Sequence, residues 1–393
     1  MRAEAAEGER RFEVREAARG WHRAGAIGEA ARAAIEAAYP DDRARLGPVF
    51  RVLVFGFAVV AVSALFGLFG LFMAEAFTRS NGVPLMLFGL VLVGATELQV
   101  GSLRRAQGGT EAATAFLGLC YLLGGMLWLV ESARLGEAAW INLALVLVVV
   151  LCAAAAYRWG YMLFAAAAAS ALFPLLARGP WGRLTWVIVP VALVPALLRA
   201  GDSARLPPSH RRSCQAVAVV CLVFLYLAVH LGSWDLGLVE ALTGEGRASR
   251  APAPAPFRPL FAVATALVPV ATFVWGIGAR RRLLINLGLV GLLSSIVTLR
   301  FYVHVAPLWV ALLVGGASAL GLALALRRYL DSGPGQERHG FTAEPLFADP
   351  ERRSTLEVAA SVASLSPAAR AIERPGFQGG GGRSGGGGAT GNF

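Results

Sequence analysis

From Leu283 to Arg328 the chain reads LLINLGLVGLLSSIVTLRFYVHVAPLWVALLVGGASALGLALALRR, two long apolar runs parted by a short polar break at Arg300 to His304. Each run approaches the ~20 residues that a helix rising ~1.5 Å per residue needs to cross a ~30 Å hydrocarbon core. Runs of the same kind recur along the chain. Their limits predict spans near 52–74, 83–103, 112–130, 138–156, 160–177, 184–199, 213–232, 259–278, 283–304 and 307–326. Charged residues are only 16% of the chain, against roughly 25% in a soluble domain. The expected fold is therefore all-α: a polytopic integral membrane helical bundle of about ten transmembrane helices. The fifth and sixth spans are short and carry Pro174, Pro190 and Pro195, so they read either as kinked crossings or as a re-entrant pair.

All 36 strongly basic side chains are arginine. The lack of lysine excludes a Walker A lysine, a Schiff-base lysine and a Ser–Lys dyad. The net charge of +11 resides between the spans: residues 1–50 and 327–393 are nearly balanced, and the block between them holds nineteen Arg against nine acids. That pattern belongs to membrane orientation, with the lipid bilayer as the partner and no nucleic acid. With a cytoplasmic N-terminus, fifteen arginines face inward and eight outward, so both termini are expected in the cytoplasm. Three of the outer eight fall in one long loop, 233–258, which contains an Ala-Pro repeat, a stiff spacer.

Three regions follow. Residues 1–46 form a polar, Ala-rich cytoplasmic helical hairpin, broken in the Gly20–Gly25 region and closed by Pro40. It has no short apolar core with a cleavage site, so it is not read as a cleaved signal peptide. It is too small to bury a core of its own and is expected to lean on the membrane block or on a partner. Residues 47–328 are the transmembrane bundle. Residues 329–393 end in GFQGGGGRSGGGGATGNF, a low-complexity Gly-rich stretch whose composition predicts a disordered cytoplasmic tail. Its chance GxGxxG and GxSxG patterns lack the strand and helix that those motifs need.

Ionisable groups inside spans are costly and mark candidate sites. Glu97, with Gln99 beside it, lies about two turns from the cytoplasmic end of the second span. It reads either as a proton or cation site or as a carboxylate reaching Arg104 or Arg105 at the rim. Asn286, in the ninth span, and Gln215 are expected to hydrogen-bond between helices. A second group, Glu75, Glu131, His230, Arg300 and His304, falls at the outer face of this topology. It reads either as a site for an anionic or protonatable ligand or as five unrelated rim residues. Neither the histidines nor Cys120, Cys152, Cys214 and Cys221 have metal-binding spacing, and no metal or cofactor is expected.

The N-terminal hairpin with Trp21, Gly25 and Ile27, then Asn286, Gly288 and Arg300-Phe301, then a Gly-rich last span ending in Arg327-Arg328, resemble the bacterial predicted membrane proteins grouped as domain of unknown function 2157. The resemblance covers both ends of residues 10–328 and thins between spans four and eight. It implies a multi-pass protein of the bacterial cytoplasmic (inner) membrane and carries no activity and no catalytic residues. No paired carboxylate, HExxH or nucleophile arrangement lies within a span, so the chain is not expected to be an enzyme. The functional expectation is a structural, sensory or envelope-associated role, with any protein partner meeting the hairpin or the tail. The alternative is a small-solute or ion transporter with its site among the proline-broken middle helices.

Overall fold

The computed structural model describes residues 3–23, 25–40, 46–72, 75, 82–102, 108–131, 136–178, 182–235, 257–303, 308–332, 337–338 and 341–342. Among these the chain is all-α apart from one two-stranded antiparallel rung, β1 (Glu337–Arg338) against β2 (Phe341–Thr342). It divides into two compact units, Met1–Ala323 and Leu324–Phe393, and the boundary falls inside the last helix. The disordered tail read from composition lies almost wholly outside the described residues, as does the 236–256 part of the long loop.

Two helices precede the apolar block, α1 (Ala3–Arg23) and α2 (Glu29–Ala38). Gly20 is accommodated within α1; the break comes at Gly25, whose φ of 71° only glycine adopts without strain. Then come α3 (Pro48–Phe72), α4 (Val83–Gly101), α5 (Thr110–Glu131), α6 (Glu137–Trp159), α7 (Met162–Ala177) and α8 (Thr185–Asp202). They are followed by α9 (Pro208–Val229), the short α10 (Leu231–Asp235), α11 (Arg258–Gly278), α12 (Arg282–Val303) and α13 (Leu308–Asp331). Eight of these are long and apolar enough to cross a membrane: α3–α6, α8, α9, α11 and α12. The fifth expected span, α7, is a shorter apolar helix of 16 residues. The sixth, α8, is continuous through Pro190 and Pro195.

Large apolar side chains on the outer faces point away from the protein: Leu71 is 77% exposed, Val60 68% and Val290 65%. Such faces are stable only against hydrocarbon, which makes this a multi-pass membrane protein.

In lipid there is little hydrophobic drive between helices, so close packing depends on small residues. A Cβ on Gly89 of α4 would stand 2.6 Å from the backbone N of Leu122 on α5, and one on Gly288 of α12 would stand 2.7 Å from the Cα of Phe273 on α11. Glycine there lets each pair of backbones touch. The main core gathers Phe173, Trp186, Val194, Cys221, Phe224 and Leu284 from α7, α8, α9 and α12. A second core joins Ala115, Leu119, Ala155, Trp159 and Phe164 of α5–α7.

The hairpin closes through an Arg19–Glu36 ion pair at 3.0 Å and docks on the N-terminus of α9. Glu9 Oε2 accepts the Ser209 N–H at 2.9 Å, supplying from another helix the cap that Pro207 cannot. Glu13 pairs with Arg211, and Arg10 Nη2 donates to the Arg205 carbonyl at 3.3 Å. His210 stacks on Tyr157 of α6, with ring centroids 6.1 Å apart. The end of α6 and the start of α9 therefore share one end of the bundle with the hairpin.

The turn from α11 to α12 is a Schellman motif. Arg281 N–H donates to Gly276 O at 2.9 Å and Arg280 N–H to Ile277 O at 3.1 Å. Its left-handed position is filled by Arg280, φ 53°, where glycine is usual and an L side chain costs about 1–2 kcal/mol.

Candidate functional site

At the hairpin end Glu97, on α4, is gripped from α6. Arg158 donates Nε to Oε1 and Nη2 to Oε2, both at 2.7 Å, and Trp159 Nε1 donates to Oε1 at 2.9 Å. The two parallel N–H···O bonds form a bidentate fork on the carboxylate. The residue stands at the rim, with its side chain 28% exposed. Arg104 and Arg105 lie outside the described residues.

Beside this clamp lies a hydroxyl and amide group between α4 and α5. Thr96, fully buried, meets Thr114 Oγ1 at 3.0 Å, and Gln99 Nε2 donates to the same hydroxyl at 3.2 Å. Glu111, also fully buried, was not flagged by sequence; its Oε1 accepts the Gly108 N–H at 2.7 Å at the start of α5. A carboxylate there meets the positive end of the helix dipole. The Gly-Gly-Thr-Glu run at 108–111 carried the signal, a capping sequence before an apolar helix. Asn286 corrects an expectation. It is exposed on α12, and no hydrogen bond among the described residues ties it to another helix. The neighbouring helices contact α12 on its other faces, through Leu284 and Gly288.

At the opposite end His230 joins α9 to α10. Ser233 N–H donates to its Nδ1 at 3.2 Å, so the proton sits on Nε2, which donates to Thr298 Oγ1 of α12 at 2.9 Å. The network continues: Leu231 N–H donates to Thr265 Oγ1 at 3.0 Å, Ser295 Oγ donates to Thr265 O at 2.6 Å, and Tyr226 OH lies 3.0 Å from Ser295 Oγ. Hydroxyls thus stitch α9, α11 and α12 together. Of the other residues expected at this face, Glu131 is exposed at the end of α5 and Glu75 is exposed beyond α3. Arg300 is in α12, two residues past the histidine's partner, and His304 lies outside the described residues.

A cleft of about 190 Å³ opens between α9, α11 and α12, near mid-length of α11 and α12 and toward the C-terminal end of α9. Leu222, Val268, Pro269 and Leu287 line it with the hydroxyl-bearing Tyr226, Thr272 and Ser294. Thr272 bonds its own helix, at Val268 O 2.8 Å away. Among the described residues no three His, Cys, Asp or Glu side chains gather as a metal site. No protein-family model, no curated protein and no solved structure matches the chain.

Proposed function

We propose that the chain is a non-enzymatic scaffold or sensor of the bacterial cytoplasmic membrane, with the α1–α2 hairpin and both termini on the cytoplasmic side. One observation carries the reading. Where proline-broken helices would line a transport path, α7, α8 and α9 close on packed aromatics. Phe173 stacks on Phe224 at 4.5 Å, Trp186 meets Phe224 edge-on at 4.7 Å, and Trp186 Nε1 donates to Phe173 O at 2.6 Å. The indole is fully buried, so its one polar atom is satisfied and no wet surface is left there. Glu97, the carboxylate that the sequence offers as a proton or cation site, is held by a guanidinium and an indole. The arginine asymmetry supports the orientation, and the resemblance to domain of unknown function 2157 supports the bacterial address.

The carrier reading draws on the cleft beside Pro269. No carboxylate, imidazole or guanidinium lines it, so an ion or proton finds no group to couple to. A solute-uptake and proton-flux screen on the full chain in liposomes separates the two. Scaffold and sensor predict rates equal to protein-free vesicles, for the wild type and for Glu97→Gln alike. A flux present in the wild type and lost in a folded Glu97→Gln protein would overturn the proposal and make Glu97 the proton site.

A further inference from the structure

The hairpin end carries arginines that no described residue engages through the side chain. In the α11–α12 turn, Arg281 donates to Leu198 O at 3.2 Å and pairs with Asp202. Arg280 and Arg282, on either side of it, are exposed, and no side-chain bond or ion pair engages them among the described residues. Arg199, next to Leu198, is exposed in the same way. Arg280 is, among the described residues, the one non-glycine residue at positive φ. The turn needs this left-handed position, and a non-glycine side chain stands there although the backbone resists one, a kind of strain that clusters at ligand-binding sites.

Asn286 adds an independent observation. It stands four residues past Arg282, hence on the same face of α12, and offers one turn inside the span an amide that has no partner among the described residues. Further in, that face continues as Leu289, 58% exposed, and Leu293, 59% exposed. Read inward from the turn, the face presents guanidinium, then amide, then aliphatic side chains. A phospholipid presents phosphate, glycerol ester and acyl chain in the same order. Trp275, 40% exposed and one turn before Arg280, lies where indoles collect at the membrane–water boundary.

We infer that the α11–α12 turn binds the headgroup of an anionic phospholipid, with Arg280 and Arg282 as the phosphate ligands, Arg199 adding to the field, and Asn286 bonding the glycerol-ester region. The inference rests on the protein surface alone and stands whichever role the bundle serves.

The test is a thermal-unfolding titration of the full chain in detergent micelles, with phosphatidylglycerol, phosphatidylcholine or inorganic phosphate added. Phosphatidylglycerol raises the midpoint more than phosphatidylcholine, and inorganic phosphate alone does not. Arg280→Gly relieves the left-handed turn, so it raises the lipid-free midpoint. It also raises the half-saturating phosphatidylglycerol concentration about fivefold, the usual worth of one arginine at an anionic surface. Arg282→Gln weakens the lipid response to a similar degree, and Arg280→Lys keeps most of it. An unchanged half-saturation in both Arg280→Gly and Arg282→Gln overturns the site. An equal response to phosphatidylcholine overturns the charge requirement, and an equal response to inorganic phosphate makes it a free-anion site. A lower lipid-free midpoint for Arg280→Gly assigns the side chain a structural role and also contradicts the inference.

Discussion

Glu97 holds three hydrogen bonds from Arg158 and Trp159, yet the pair is 28% and 42% exposed, so solvent discounts its worth. Glu97→Gln is expected to lower stability by about 1 kcal/mol, read as a small fall in thermal midpoint, with the fold retained. A loss of several kcal/mol would mean that the clamp is buried more deeply than its exposure indicates. In the hairpin, the hydrogen bond from Arg19 holds the Glu36 carboxyl below the usual carboxylate range. A depressed folded-state pKa contributes stability above the ordinary value of ~4.3, and that contribution is lost as pH falls through the lowered one. A carbon-13 titration of Glu36 in the full chain should show a midpoint below that ordinary value, restored by Arg19→Gln. The polarity of Glu97 is legible in sequence because a carboxylate in an apolar run stands out. Its partner is not, because Arg158 lies 61 residues away and only the fold brings the end of α6 near α4. Glu111 and Thr96 stayed hidden because a helix-start glutamate and an isolated threonine look ordinary until burial is known.

The helices themselves could be read closely from the chain. The span expected at 83–103 is α4 at Val83–Gly101, and that at 259–278 is α11 at Arg258–Gly278. Apolar length decides those limits. Which helices touch was not legible, since a helix that is apolar on every face shows no preferred side, and the choice falls to local shape. Two substitutions test that account. Trp186→Ala empties the α7–α8–α9 aromatic core and should cost about 3–5 kcal/mol. Gly288→Leu drives a side chain into the backbone at Phe273 and should cost about 1–3 kcal/mol by forcing α11 from α12. Both are measured by reversible unfolding in bicelles. A neutral Gly288→Leu would show that the two helices do not meet as closely as described.

On the scale of the whole molecule, the hairpin, the α9 N-terminus and the α11–α12 turn share the arginine-rich side of the proposed topology, and the hydroxyl network around His230 lies at the other end of α9. In the proposed topology the charge asymmetry and the ion pairs that seat the hairpin thus act on one surface. Among the described residues eight helices are long and apolar enough to cross a membrane, and the ten crossings expected from the sequence would also need the 16-residue α7 and the last helix α13 to span. The most direct measurement is a pair of dual-reporter fusions, one after residue 340 and one within 245–256. The account predicts a cytoplasmic signal from the first and an external signal from the second. The same signal from both positions, or an external signal after residue 340, would contradict it.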